Sequence, residues 1–551
     1  MTRNEKDAIG VVAAHSSVRP CPTPQQEAVI AAARDPALPA VIVAAGAGCG
    51  KTSTLRMAAK VLPESRVRYT AFNRSVVEDA RRVMPGSVKC QTMHAIAYGH
   101  SRDFIRAKGD RIEGSWRAGD LFRALRDRNH VPICAESQQI RLIAKAVRWF
   151  CQSSDAEIGP EHVDKDELTR LLVQHCGRHG LEVPHEPESV AQDFVPCIVD
   201  DARRLWAKAN DPSHPLPPTH EVTLKRLQLD RVGIPCDALF FDECQDVSPV
   251  MLAVVLDSLA RGTRVVAVGD PAQSIYGFTG AVDAIPRLRA IPGAVELPLS
   301  HSWRFGEAIA RTANAMLRAS GYDVLLTGRG PDTEPFDPEQ PYTVLGRSNF
   351  ALLEEAVRLE RAGVAVRIPD TLASSMIRDM EGAYRLWEEG RSDHPALEGM
   401  TWDLAIQFLE ILDPDMQRAI QCVQKLGQQT TQWIDAIGGM AGTKGARVYC
   451  STAHSAKGGE WDQVRILDDF ELYAKGGKVI RQEAHLAYVA VTRAKRALQN
   501  HSWQIDRACR DFGPDRHEPF DGVAGPKIEW HSAKTCGILS DLDGNLHGRR
   551  A

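Results

Sequence analysis

The chain has 551 residues, 43% hydrophobic and 25% charged, which suits three or four domains with buried cores and excludes a mostly disordered polymer. Lysine and arginine total 67 against 71 aspartates and glutamates, so bulk charge gives no sign of a nucleic-acid partner, and any such site must be a local groove. Thirteen scattered cysteines without a CxxC pair argue against a disulfide framework or a clustered zinc site, and place the chain in a reducing, cytoplasmic compartment. The N-terminus lacks the layout of a secretory signal, and no apolar run is long enough to span a bilayer, so no membrane partner is expected.

Taken in chain order, Ala40 to Ala45 reads as a short buried strand followed by a glycine-rich loop and Lys-Thr opening a helix, within VIVAAGAGCGKT. Phosphates need backbone N–H groups at a helix N-terminus, and glycines let the backbone approach them. Lys51 would reach the β/γ-phosphates and Thr52 would hold Mg²⁺. Ala45 stands where GxxxxGKT has its first glycine. From about Tyr98 to His220 the tract is mostly helical. Within it Ile140, Ile143, Ala144, Val147 and Phe150 form a core-facing stripe at helical spacing. Ala238 to Phe241 is a second strand, ending in DECQD. Asp242 can join the Mg²⁺ shell and Glu243 can polarise the attacking water. Loop and acids together imply a nucleoside-triphosphate hydrolase. Arg264 to Val268 is a third strand.

A second α/β region begins after Leu299, with strands at Tyr342 to Leu345, Arg447 to Ser451 and Val464 to Leu467. Before it, Gly330 to Pro341 carries four prolines among four acids and reads as a solvated connector. A helical insertion from about Ile368 to Ile437 ends at GGMAGTKGA, a candidate hinge. After Arg496 the chain reads as loop-rich. His175, Cys176 and His179 lack a second Cys/His pair to complete four ligands, so they read as ordinary side chains rather than a metal site.

The DECQD box resembles the DExxQD box of UvrD/Rep-type superfamily 1 DNA helicases. The other boxes of that family occur in order: TPQQEAV from Thr23, AGAGCGKT from Ala45, YTAFNRS from Tyr69, QTMHAIAYGH from Gln91, VGDPAQSIYGFTGA from Val268, HSWRFG from His301, VLGRSN from Val344, TAHSAKGGEW from Thr452 and YVAVTRAK from Tyr488. TAFNRS, TMHAIAYGH, GAVDAI and YVAVTRAK look closest to the F-box DNA helicase branch. Only Met1 to Pro22 precede the first box, so no F-box is expected.

The resemblance implies two RecA-like P-loop domains with parallel sheets, each bearing a helical insertion, with ATP between them. The first would comprise residues 1–97 and 220–299 with insertion 98–219, and the second 300–365 and 441–551 with a small insertion 366–440. It also implies roles. Gln25 would read adenine and Trp303 would stack on it, although a core tryptophan is a competing reading. Gly46, Gly48, Gly50, Lys51 and Thr52 would hold the phosphates, Glu460 would lie near the ribose and Gln273 would sense the γ-phosphate. Arg304 and Arg493 would complete the site across the cleft, where a permanent cation with two donors suits phosphoryl charge. Catalysis would thus rest on Lys51, Glu243, Gln273, Arg304 and Arg493, with Mg²⁺ held by Thr52 and Asp242.

A motor on single strands needs cations for phosphates and flat rings for bases. Residues 51–120 hold fourteen Lys/Arg against seven Asp/Glu, an excess the whole chain lacks. By resemblance the strand would meet Phe72, Asn73, Arg74, Thr92, His94, Tyr276, Phe278, Thr452 and His454, with Phe72 and Phe278 the leading stacking candidates. Thr279 replaces a common Arg and Gly459 the Leu of KGLEW. The implied activity is an ATP-dependent 3′–5′ helicase or translocase in repair, recombination or replication, on single-stranded DNA or a duplex with a 3′ tail. Alternatives are a translocase that strips bound proteins with little unwinding, and an ATP-gated regulatory module.

Overall fold

Runs of four to six Val, Ile, Ala and Phe residues are too short for stable helices and suit strands covered on both faces. The structure is a computed structural model that describes residues 21–513, apart from 63, 65, 72, 276, 278, 279, 410, 411 and 413. In its first sheet β1 (Ala40–Ala45), β2 (Val67–Ala71), β3 (Val88–Cys90), β4 (Ala238–Asp242), β5 (Arg264–Gly269) and β6 (Val295–Leu299) run parallel, in the order β3-β2-β4-β5-β1-β6. Every residue of β4 is buried. The order has a chemical consequence. Because β5 lies between β1 and β4, the carboxyl ends of the three strands bring the phosphate loop, residues 270–273 and the acidic pair to one edge.

β7 (His301–Ser302) and β8 (Thr327–Gly328) form a small parallel pair leading to the second sheet. There β9 (Tyr342–Gly346), β10 (Val366–Arg367), β11 (Val448–Thr452), β12 (Trp461–Ile466) and β13 (Ala494–Asn500) are again parallel, ordered β10-β11-β9-β12-β13. The chain is α/β, with two parallel sheets of the RecA-like P-loop kind. No helix among the described residues is long and apolar enough to cross a membrane.

Between β3 and β4 the chain is helical. In helix Glu136–Gln152, Ile140, Ile143, Val147 and Phe150 are buried and Ala144 marks the edge of the stripe. The insertion between β10 and β11 contains helices Asp370–Glu389, Trp402–Gln407, Pro414–Leu426 and Thr430–Met440. It meets helix Lys165–His179 of the first insertion: Gln174 Nε2 donates to the carbonyls of Pro395 (3.2 Å) and Ala396 (3.0 Å), and Arg178 pairs with Glu398 at 3.4 Å.

Two readings of the sequence need correction. The last helix of the second insertion runs through Gly438 and Gly439 to Met440, and the left-handed residues that break it are Gly442 and Gly445, so the candidate hinge starts later. The region after Arg496 is not all loop: β13 continues to Asn500 and helix Trp503–Phe512 follows, with Ser502 Oγ accepting from the Ile505 amide (3.4 Å) and Ile505 and Ala508 buried. Apolar residues at 505, 508, 509 and 512 carried that helical spacing.

Candidate nucleotide site and nucleic-acid groove

Ala45 is still strand, buried and paired with Leu299 of β6, so the position of the missing first glycine accommodates a side chain. The turn begins at Gly46, where a Cβ would lie 2.2 Å from Leu326 Cδ2. Gly48 has φ 73°, and a Cβ there would meet Ser302 Oγ at 2.6 Å and Arg304 Cβ at 2.7 Å. Glycine is therefore required both for conformation and for close approach of the segment after β6. Gly50, also left-handed, N-caps helix Lys51–Ala58, whose first amides and positive end suit phosphate. Thr52 is its second residue.

At the end of β4, Glu243 takes φ 53°, a left-handed conformation in a non-glycine residue. Such strain is held by surrounding contacts. Its N–H donates to Asp242 Oδ1 (2.8 Å), Tyr69 OH donates to Asp242 Oδ2 (2.6 Å), and Gln245 Nε2 donates to Glu243 Oε2 (2.6 Å). Lys51 Nζ sits 3.2 Å from Glu243 Oε1. Burial, then the charge of Glu243, raises the Asp242 carboxyl. Burial would raise Glu243 too, but the Lys51 ammonium, the Gln245 amide and Lys457 outweigh it and hold this carboxyl low. The two adjacent acids are pushed apart, which separates their chemical roles.

Helix Pro24–Arg34 starts with a capping box: Thr23 Oγ1 accepts from Gln26 N (3.2 Å) and Gln26 Oε1 accepts from Thr23 N (3.0 Å). This fixes Gln25 beside the segment after β6, where its Oε1 accepts from Ser300 N (2.9 Å) and its Nε2 donates to Ser300 Oγ (2.9 Å). Trp303 donates its backbone N–H to Gly48 O (2.9 Å), and its side chain is 51% exposed. It is not a core tryptophan. Arg304 Nε donates to Glu460 Oε2 (2.8 Å) and its Nη1 to Thr492 O (3.0 Å). Arg493 is fully buried, donating to Val489 O (2.9 Å), Gly459 O (3.1 Å), Thr492 Oγ1 (3.2 Å) and Gln273 Oε1 (3.4 Å). Burial and, next, the neighbouring Arg304 lower its guanidinium to about 9. Lys51, Asp242, Glu243, Gln273, Arg304 and Arg493 thus line one interdomain cleft.

Asp270, Tyr488 and Lys457 also belong to this cleft and were not singled out from the sequence. Asp270, buried, accepts from Gln273 Nε2 (2.5 Å) and Tyr488 OH (3.1 Å). Lys457 reaches from the second half to Asp246 and to the Gln273 carbonyl. All three lie inside quoted boxes, but only the packing of helix Arg481–Val491 and its neighbours against the 270–273 turn brings them together. Gly459 also gains a reason: a Cβ there would lie 2.6 Å from Trp461 Cη2, while its carbonyl accepts from Arg493.

The strand-contacting candidates are spread more widely. Asn73 caps helix Arg74–Val83 and Thr92 caps helix Met93–His100, so both hydroxyl or amide oxygens are already engaged by backbone. Arg74, exposed, pairs with Glu78 at 2.9 Å. Arg74, Arg81, Gln91, Thr92, His94 and Tyr98 line an open groove of about 710 Å³ on the first domain. Burial lowers the His94 imidazole, so near neutrality it offers a ring and a hydrogen bond more than a charge. Thr452 is buried at the end of β11, its Oγ1 accepting from Ser455 N (3.2 Å), and His454 follows, half-buried. Phe72, Tyr276, Phe278 and Thr279 lie outside the described residues.

Comparison with known proteins agrees with this geometry. The AAA domain family model matches residues 25–279, and the UvrD-like helicase C-terminal domain matches 447–499, so the two matches fall on the two halves of the cleft. Both halves of the chain are thus similar to UvrD-like superfamily 1 helicases. Among relatives of this UvrD-like chain, F-box DNA helicase protein 1 of Schizosaccharomyces pombe is 27% identical over 83% of this chain and 55% of its own length. F-box DNA helicase 1 of Gallus gallus is 27% identical over 83% and 47%, and ATP-dependent DNA helicase UvrD2 of Mycobacterium tuberculosis 24% identical over 88% and 79%. The chain spans about half the length of the two F-box relatives.

In the UvrD-like chain Trp303 is exposed at the rim, so its removal costs little packing. If Trp303 stacks on adenine, Trp303→Ala raises the KM for ATP about tenfold through the lost aromatic contact, with kcat and melting temperature near wild type. A lowered melting temperature with unchanged KM would return Trp303 to a structural role.

Proposed function

We propose that this chain is an ATP-dependent 3′–5′ helicase or translocase on single-stranded DNA. One observation carries the reading: two residues from beyond the first sheet reach its nucleotide edge, Arg304 packing against Gly48 of the Lys51 loop and Arg493 donating to Gln273. The donor set suits a nucleoside triphosphate with Mg²⁺. Gly48 and Gly50 form a cradle that a Cβ would obstruct or strain, and Asp242 and Thr52 offer the oxygen ligands Mg²⁺ prefers. When bound, Mg²⁺ would neutralise phosphate charge during transfer.

The protein's own groups then divide the work. Ionised Glu243 takes the proton of the attacking water as its oxygen bonds to the γ-phosphorus and the bridging P–O bond breaks. Lys51, Arg304 and Arg493 stabilise charge on the phosphoryl oxygens, and Gln273 contacts the phosphate that leaves. The Arg74–His94 groove supports a nucleic-acid track on the first domain, and the family relatives support DNA as the polymer.

ATPase rates with and without single-stranded DNA test the reading, followed by displacement assays on 3′- and 5′-tailed duplexes and on streptavidin-blocked strands. Stimulation by DNA and unwinding only from a 3′ tail are expected. Streptavidin removal without unwinding would identify a stripping translocase, and turnover indifferent to DNA would sink the motor reading. Arg74→Glu should raise the DNA concentration for half-maximal stimulation about tenfold, since it exchanges a phosphate-attracting charge for a repelling one. An unchanged value would remove Arg74 from the track.

A further inference from the structure

The side chain of Tyr488 joins the two halves of the chain at the phosphate loop. It lies on helix Arg481–Val491 and is wholly buried. Its hydroxyl accepts from the Ala47 N–H (2.9 Å) and donates to Asp270 Oδ2 (3.1 Å). The same carboxylate oxygen accepts from Gln273 Nε2 (2.5 Å), and Gln273 Oε1 accepts from Arg493 Nη2 (3.4 Å). Arg493 follows Tyr488 by five residues, so the hydrogen bonds close a ring from the phosphate loop through Tyr488, Asp270 and Gln273 to Arg493, and back along the chain.

Packing does not require this arrangement. Phenylalanine would fill the same volume, whereas the hydroxyl is used twice, as acceptor and as donor. Both of its partners are buried, so water cannot readily replace a lost bond. The amide belongs to the loop that faces the phosphates, and the carboxylate orients the γ-phosphate glutamine. Any slide of helix Arg481–Val491 against β1 must break one of the two bonds.

We propose that Tyr488 is a positioning residue for hydrolysis, registering the second domain on the phosphate loop so that Gln273 and Arg493 meet the γ-phosphate in a single arrangement. This role rests on the ATP-hydrolysis reading above. Wild-type protein without ATPase activity in the presence of single-stranded DNA would defeat that reading, whereas wild-type turnover with undiminished Tyr488→Phe turnover would defeat only the positioning role.

The test measures kcat, the affinity for a fluorescent ATP analogue and the melting temperature of Tyr488→Phe. We expect kcat to fall about tenfold or more while affinity stays within about threefold, the signature of lost transition-state rather than ground-state interaction. An unchanged kcat, or equal losses of affinity and kcat with a lowered melting temperature, would overturn the proposal. Should Tyr488→Phe fail to fold, 3-fluorotyrosine placed at 488 keeps the ring and both bonds while acidifying the phenol. It should strengthen donation to Asp270, weaken acceptance from Ala47, and shift kcat about twofold or more at constant affinity. A kcat equal to wild type in that protein also overturns the proposal.

Discussion

Glu243→Gln is expected to stop turnover while leaving ATP bound. The reason lies in the environment of the carboxylate. Lys51 at 3.2 Å and the Gln245 amide at 2.6 Å hold the Glu243 carboxyl low despite its burial, so near neutrality it is ionised and free to accept a proton. An amide of the same shape still accepts one hydrogen bond but cannot take a proton, and loss of general-base catalysis is worth about 10²–10⁴-fold. Affinity should hold, because phosphate binding rests on Lys51 and the loop amides, and loss of the Glu243 charge frees Lys51 for phosphate. Single-turnover hydrolysis and nucleotide binding on one preparation check this. Near-normal turnover by Glu243→Gln would move the base elsewhere, with Asp242 the next carboxylate.

Arg493→Lys is expected to be almost as damaging as Arg493→Ala, each losing about the 10³-fold that marks the low end for arginine fingers. Arg493 spends its guanidinium on four acceptors at once, including Gln273 Oε1 and the Gly459 carbonyl. A lysine has one nitrogen and cannot span them. The site adds a second penalty. Burial, helped by Arg304, already lowers this guanidinium to about 9, and lysine starts from a lower value. Its ammonium would therefore lose its proton at lower pH than a free lysine, and protonation returns as pH falls. Arg493→Lys should regain part of its lost kcat/KM, which reports the free enzyme, as pH falls from about 8 to about 6. Glu243 remains ionised across that window. The pH profile of kcat/KM, with melting temperature recorded at each pH, decides it; a profile parallel to wild type would remove the charge argument.

Much of this cleft was legible in the residues. Strands β1, β4 and β5 are short apolar runs ending in glycine or acid, and local chemistry alone locates Lys51, Asp242 and Glu243, because phosphate loops and acidic strand ends depend on neighbours in sequence. Gln25 and Trp303 were reached through ordered boxes, and the capping box TPQQ fixes the first of them locally. Trp303 was ambiguous, since a lone tryptophan reads equally as core or surface, and only its exposure beside Gly48 decided it.

What the sequence determined by itself, then, is the set of elements and the reacting groups within each, for propensity, capping and apolar period act over a few residues. The tertiary structure alone decided which distant groups touch. Tyr488 meets Ala47 across 441 positions and Asp270 across 218, and Lys457 meets Asp246 across 211. Such pairings follow from strand order and from the seating of helix Arg481–Val491 against the 270–273 turn, which depend on the summed burial of both halves. No local pattern encodes them. The lowered guanidinium of Arg493 has the same origin: desolvation and a neighbouring charge exist only once the two halves close around it.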